Sequence, residues 1–281
     1  MSGQDLNLGR LVHGYWRAHE WGLNAEGYLA LIHDVLSLGI RTFDHAACYG
    51  GFANEEAFGQ ALALEKGLRE QMTIVSKCGI VFPNAQLPEM KSKHYDNSRA
   101  HIVWSAERSV EKLQCGYLDL LLIHRPSPCA HPEEIAAAFD DLHRRSLVRH
   151  FGVSNYSAQK FSMLQSYVDQ PLATNQIEIS PLHLAPFEDG SLDYLLEKRV
   201  QPMAWSPLGG GRLFDKADLQ SRRVAQALLA AGERQGETRL DTLAYAWLLA
   251  HPAKITPIVG SGRLARIRDA ADALAVCFTE E

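Results

Sequence analysis

Within Thr42–Gly51, TFDHAACYGG, a carboxyl (Asp44) and a phenol (Tyr49) stand where a β-prone approach gives way to a loop. Further along, IVSKCG brings an apolar run to Lys77, and LDLLLIHRP brings another to His124. A tyrosine hydroxyl is a poor acid near neutrality because its ordinary pKa is about 10. A nearby ammonium stabilises the phenolate, and a carboxylate holds that ammonium and limits the cost of burying it. An imidazole donates a hydrogen bond to a substrate oxygen and fixes its direction. Asp44, Lys77, Tyr49 and His124 are together equipped to give a proton to a carbonyl oxygen. The set holds no nucleophile and no metal cage, so a hydride has to come from elsewhere. Taken singly, each has a plainer reading: a cap or ion-pair acid, a loop aromatic, a solvated lysine, a satisfied core histidine. Four such residues at adjacent strand ends favour the set.

Those strand ends come from the pattern of the chain. Apolar, strand-like runs recur at Leu11–Tyr15, Ile40–Asp44, Met72–Ser76, Leu118–His124, Arg149–Val153, Ala173–Ile177, Pro202–Trp205 and Pro257–Val259. Helical spacing fills 25–38, 54–66, 98–115, 132–146, 157–167, 189–199, 219–250 and 262–275. Asn24 and Ser157 read as N-caps, and Gly39 and Gly116 as stops. Eight strands alternating with helices imply parallel pairing through crossover helices. The pattern predicts a single-domain α/β protein, a (β/α)8 TIM barrel over residues 1–281. A doubly wound sheet is the competitor, but no GxGxxG follows the first strand, and Gly209-Gly210-Gly211 lacks that spacing. In such a barrel the C-terminal strand ends and their loops build the active site.

Composition agrees with an ordinary globular chain: 281 residues, 46% hydrophobic, 22% charged, formal net charge −5. With a pI of about 6.2, the short runs around Arg144, Arg145 and Arg149 make no nucleic-acid footprint. The five cysteines have no CxxC spacing, which points to reduced thiols and a cytoplasmic location. MSGQDLNLGR has no signal-peptide pattern, and apolar runs fall far short of the ~20 residues a membrane span needs. No nucleic-acid or membrane partner is expected, and a monomer or weak oligomer suffices.

In order along the chain, TFDHAACYG, IVSKCG, LDLLLIHRP, GVSN, NQIEIS, AWSPLGGGRL and PIVGSGRLARI resemble the successive signatures of the aldo-keto reductase superfamily. The resemblance runs from about Leu11 to Leu274. Its nearest branch is the bacterial YdhF-like one, with HYDNSRAHI, RHFGVSN and MAWSPLGGGRLF the most telling stretches. It implies an NADP-dependent oxidoreductase that reduces aldehydes or ketones to alcohols. Tyr49 would be the general acid, Lys77, held by Asp44, would lower its pKa, and His124 would orient the carbonyl.

The same resemblance implies a cofactor site for NADPH/NADP+. Ser154, Asn155 and Gln176 match residues that hold the nicotinamide carboxamide, and Trp205 stands where a tyrosine commonly stacks on the ring. Ser206, Leu208, Gly210 and Arg212 lie in a loop resembling the one that folds over the pyrophosphate. Gly260, Ser261, Arg263 and Arg266 look like the pocket for the adenosine 2′-phosphate, with Arg263 replacing the charge that many relatives carry as a lysine at position 260. At Asp269-Ala270 the usual acid–amide pair for the adenine is incomplete. Trp16 matches an apolar wall of the substrate pocket, and Arg125, where several members have tryptophan, would bias the mouth toward polar or anionic carbonyls. The plainer alternative has Arg125 turned away to an acid on the rim. Thr279-Glu280-Glu281 reads as the first turn of a further helix, where relatives continue with a C-terminal segment; this leaves two readings, a short protein or one whose C-terminal tail is missing.

Two other functions compete. Potassium-channel beta subunits share this superfamily and keep the tetrad while acting as NADPH-binding regulators. A metal-dependent barrel hydrolase is prompted by the twelve histidines, but no strand-end HxH pair occurs, so no metal is expected.

Overall fold

The computed structural model describes residues 6–84 and 88–278, so the expected turn at Thr279–Glu281 lies outside the described residues. Ten strands occur in chain order among the described residues. They are β1 Val12–Gly14, β2 Thr42–Asp44, β3 Thr73–Cys78, β4 Ile80–Val81, β5 His94–Tyr95, β6 Leu118–Ile123, β7 Val148–Ser154, β8 Leu172–Glu178, β9 Met203–Trp205 and β10 Thr256–Val259. Eight of them close into a parallel barrel in the order β1-β10-β9-β8-β7-β6-β3-β2, while β4 and β5 form a separate antiparallel hairpin. The expected barrel and all eight expected strands are present; the hairpin has no counterpart in the sequence reading, because two-residue strands leave no alternation to detect.

The helices are α1 Ala25–Ser37, α2 Asn54–Leu64, α3 Arg99–Leu113, α4 Pro132–Arg144, α5 Ala158–Gln165, α6 Ala185–Glu188, α7 Ser191–Lys198, α8 Leu219–Glu233, α9 Leu240–Leu249 and α10 Leu264–Asp272. Asn24 and Ser157 cap as expected, accepting from the backbone N–H of Gly27 and Lys160. Gly39, with φ +79°, follows α1 in the left-handed conformation that glycine favours. At α3 the stop is not Gly116: Gln114 takes the left-handed conformation first. The expected helix over 219–250 is two helices, because the chain turns at Gly236 (φ +73°) and folds back so closely over Gly232 that a Cβ there would lie 2.5 Å from the Glu237 carbonyl. The expected helix over 54–66 ends at Leu64 and continues as a 3-10 segment, Lys66–Gln71.

Strand periodicity decides which residues reach the lumen. Val12, Val75, Leu120, Leu122, Met203 and Ile258 pack together inside the barrel, while Phe43, Ile74, Leu121, Ile123, Val153 and Ile177 pack outward under the helices. Counting in twos from the inner set places Asp44, Lys77, His124, Ser154, Gln176 and Trp205 on the lumen side at the C-terminal ends. At the N-terminal ends of β3 and β6, on their outer side, sits a buried guanidinium. Arg69 donates to the carbonyls of Met72, Cys115 and Tyr117 and pairs with Asp119 at 2.8 Å, whose same oxygen accepts from the Ile74 N–H.

Outer packing is tight where α2 crosses α3. Alanine in a helix interior is ordinarily favoured over glycine by about 1 kcal/mol, yet a Cβ on Gly59 would sit 1.9 Å from the backbone oxygen of Lys112. Gly59→Ala is therefore expected to lower unfolding stability by about 2 kcal/mol in urea titrations. Unchanged or raised stability would refute this account of the α2–α3 contact.

Candidate active site

Lys77 is 1% exposed and Asp44 2%. The lysine has three N–H groups and places each on an oxygen: Asp44 Oδ2 at 2.7 Å, the His45 carbonyl at 2.7 Å and the Tyr49 hydroxyl at 3.0 Å. Because the ammonium only donates, the phenol oxygen is an acceptor toward Lys77. The phenolic proton must then point elsewhere, into the mouth. Tyr49 meets the His124 ring edge-to-face, centroids 5.7 Å apart.

The charges in this group differ from the expectation in one respect. Burial holds the Tyr49 phenol well above its ordinary value, and the Asp44 carboxylate adds to that direction, with Arg125 opposing. The expected lowering by Lys77 does not prevail. Its charge is answered at 2.7 Å by Asp44, so the phenol faces a neutral pair and desolvation wins. Burial likewise moves Lys77 down, against the pull of Asp44. His124 is held well below the usual histidine range by burial and by the cations Lys77, Arg125 and Lys93. It is a neutral imidazole, able to donate one hydrogen bond.

A second chain of hydrogen bonds runs across the lumen. Gln176 Nε2 donates to Asp44 Oδ1 at 2.8 Å, so the carboxylate is held from both sides. Ser154 Oγ donates to the Gln176 carbonyl at 2.7 Å and accepts from Asn155 Nδ2 at 2.8 Å. Asn155 Nδ2 also reaches the His124 carbonyl, and its Oδ1 accepts from Trp205 Nε1 at 3.1 Å. Both donors of the Asn155 amide are thus engaged within the protein. Two backbones here pass through left-handed space without being glycine: Asn155 (φ +62°) and Ser206 (φ +51°), a strained conformation that clusters at working sites.

The remaining expected residues line the same rim without hydrogen-bonding to the Tyr49 group. The Ser206 carbonyl accepts from the Gly209 N–H and the Leu208 carbonyl from the Gly211 N–H. They fold a loop in which Gly210 and Gly211 have φ +67° and +98° and face open space on the side where a Cβ would stand. Arg212 is exposed, 3.9 Å from Asp218. Gly260 is open on its Cβ side, Ser261 Oγ accepts from the Arg263 N–H, and Arg263 and Arg266 are exposed beside the start of α10. Asp269 is committed to Arg239 at 2.9 Å, which also binds Asp272. Trp16 is 55% exposed, its carbonyl held by Asn54 Nδ2. Arg125 is not turned to an acid on the rim: it makes no ion pair among the described residues, and its guanidinium lies 5.8 Å from the Trp205 ring.

Sequence reasoning does not assign three participants. The His45 carbonyl is the third acceptor of Lys77, and no side-chain pattern signals a backbone group. Cys48, inside the motif beside Tyr49, lies 3.7 Å from His124 Nδ1; its place next to the phenol is the available signal. Lys93, beside the β4–β5 hairpin, acts on both Cys48 and His124. Among the described residues no cluster of three or more histidine, cysteine or acidic side chains could hold a metal ion, no helix is long and apolar enough to cross a membrane, and all five cysteines are free.

The chain is 45% identical over 278 residues to the oxidoreductase YdhF of Escherichia coli, covering 99% of this chain and 92% of that one. It is also 45% identical to a 6-dehydroglucose reductase of Agrobacterium fabrum, covering 98% and 92%. The crystal structure of a thermostable aldo-keto reductase, Tm1743, in complex with the inhibitor epalrestat superposes with a TM-score of 0.80 at 26% identity, covering 99% and 94%. The sequence profile of the Aldo/keto reductase family matches residues 10–281: this chain belongs to the aldo/keto reductase family, with the relatives of its YdhF-like branch among those it resembles.

Proposed function

We propose that the protein reduces aldehydes or ketones to alcohols with NADPH, Tyr49 supplying the proton. The observation that carries the reading is the Lys77 ammonium, whose three donors fall on Asp44, His45 and Tyr49. That arrangement fixes the phenol as an acceptor toward the lysine and as a donor toward the mouth. The phenol is protonated in the resting protein, and the Lys77 N–H at 3.0 Å would stabilise the phenolate left once the proton is given to a carbonyl oxygen. Neutral His124, beside the phenol, donates a second hydrogen bond to the same oxygen and sets its direction.

The residues present fit a nicotinamide dinucleotide. Gln176 Oε1 and the second lone pair of Asn155 Oδ1 are acceptors without a further partner among the described residues, suited to the N–H2 of a carboxamide. Trp205, its edge tied to Asn155, offers a flat face for the ring. The left-handed glycines Gly210 and Gly211 permit backbone N–H groups to approach phosphate oxygens, with Ser206, Leu208 and Arg212 in the same loop. Gly260, Ser261, Arg263 and Arg266 would take the adenosine 2′-phosphate through charge-assisted bonds at the start of α10. When bound, the cofactor supplies the hydride. Every proton the chemistry needs is held by the chain.

The mouth carries Arg125 and Lys93 in addition to the neutralised Lys77, which favours polar or anionic carbonyl compounds; Trp16 would wall one side. The sugar aldehyde named for the Agrobacterium relative belongs in the same test panel.

Calorimetric titration with NADPH and NADH, followed by NADPH oxidation against that panel, tests the reading. Tighter binding of NADPH is expected, with turnover that falls at least about a hundredfold in Tyr49→Phe while cofactor binding persists. Binding without turnover on any carbonyl, or a Tyr49→Phe variant as active as the parent, would refute the assignment of the acid. Arg125→Ala is expected to lower kcat/KM for a carboxylated aldehyde about tenfold relative to a neutral one of similar size. An unchanged ratio removes Arg125 from substrate selection.

A further inference from the structure

His13 is a buried polar side chain that the proton-transfer group does not use. It lies on β1 with no exposed surface, directed outward from the lumen and stacked on Trp21, centroids 5.6 Å apart and planes 27° from parallel. Among the described residues it makes one hydrogen bond, from Nε2 to the carbonyl oxygen of Ser261 at 2.9 Å, and its Nδ1 is buried without a partner. A carbonyl can only accept, so Nε2 carries the proton and Nδ1 the idle lone pair. Burial, opposed by that one bond, holds His13 down at about 4 and therefore neutral. An aliphatic side chain of similar volume would fill the same space with no orphaned nitrogen. What the histidine adds is its grip on Ser261.

Ser261 begins the turn between β10 and α10, and the next residue is fixed by the same aromatic pair. A Cβ on Gly262 would lie 2.6 Å from the Trp21 ring, so the glycine backbone rests flat against the indole. Two consecutive residues are thus seated on one platform, Ser261 through its carbonyl and Gly262 through contact. With the carbonyl drawn inward, the Ser261 hydroxyl is bonded to the Arg263 N–H and the Arg263 side chain stands exposed.

We infer that His13 and Trp21 form a platform that holds Ser261–Arg263 in the shape required for a phosphate monoester, making His13 a positioning residue for the discrimination of NADPH from NADH. The inference rests on the proposed role of Ser261, Arg263 and Arg266 toward the adenosine 2′-phosphate. His13 touches no part of the cofactor in this scheme; it acts through the Ser261 carbonyl.

The test is calorimetric titration of the full chain with NADPH and with NADH, for the parent and for His13→Leu, His13→Gln and Gly262→Ala, alongside thermal unfolding of each. In His13→Leu the NADPH Kd is expected to rise about tenfold, the scale of one lost positioning hydrogen bond, while the NADH Kd stays close to that of the parent. Its unfolding midpoint should not fall, since the orphaned nitrogen goes with the ring. His13→Gln, whose amide N–H2 can still reach the Ser261 carbonyl, should recover most of the preference. Gly262→Ala, whose methyl pushes the loop away from Trp21, should lose it as His13→Leu does. Equal weakening of both cofactors, or an undiminished NADPH preference in His13→Leu, overturns the inference. A parent that binds both cofactors equally instead overturns the phosphate-pocket reading, and the platform role with it.

Discussion

A single buried ammonium organises the upper half of this barrel. Lys77 enters the lumen on β3 because strand alternation turns every second residue inward, and there it meets no water. An ammonium stripped of solvent is tolerated only when its donors are all met, and removing one partner of such a pair typically costs about 3–5 kcal/mol. Asp44 on β2, the His45 carbonyl one residue later and the Tyr49 hydroxyl meet them. All three come from one short segment. The β2 loop is therefore shaped by the lysine as much as the lysine is fixed by the loop.

The carboxylate that answers Lys77 has its own requirement. One of its oxygens is taken by the lysine, and the other is met from the far side of the lumen by Gln176 on β8. From Gln176 the connection continues through Ser154 and Asn155 to the His124 carbonyl and the Trp205 indole. Strands β2, β3, β6, β7, β8 and β9 are thereby tied at their C-terminal ends by polar side chains above an apolar floor of Val75, Leu120, Leu122 and Met203. At the opposite end, on the outer side of β3 and β6, Arg69 and Asp119 satisfy each other and three backbone carbonyls. The barrel is apolar in its middle and satisfied at both ends.

Much of this is legible in the sequence, for physical reasons that differ by residue. The eight barrel strands announce themselves by apolar runs between helical stretches, and once the period of two is applied, Asp44, Lys77 and His124 fall on one mouth without further help. The break of 219–250 into α8 and α9 is hidden because Gly232 and Gly236 interrupt a helical pattern no more than glycines often do; the reversal is decided by the close approach of the Glu237 carbonyl. The direction of the Tyr49 pKa escapes the sequence for a different reason. Residue types reveal that a lysine and an aspartate are near, but whether the phenol sees a cation or a neutral pair depends on a separation of 2.7 Å and on burial, neither of which a sequence displays. His45, which acts through its carbonyl, leaves no trace in side-chain chemistry at all.

In the proposed reduction, the raised phenol pKa means that the resting hydroxyl carries its proton. With Asp44 cancelling Lys77, the phenol stays protonated, and the lysine's third N–H touches the oxygen that would become anionic if Tyr49 gave up its proton as proposed. The stabilisation is then felt in the transferred state more than in the resting one, which is the condition for lowering a barrier rather than only deepening a ground state. Neutral His124 completes the logic, since an imidazolium here would add a fourth cation to Lys77, Arg125 and Lys93. The same burial that opposes charge on both groups thus leaves a protonated phenol and a neutral imidazole side by side.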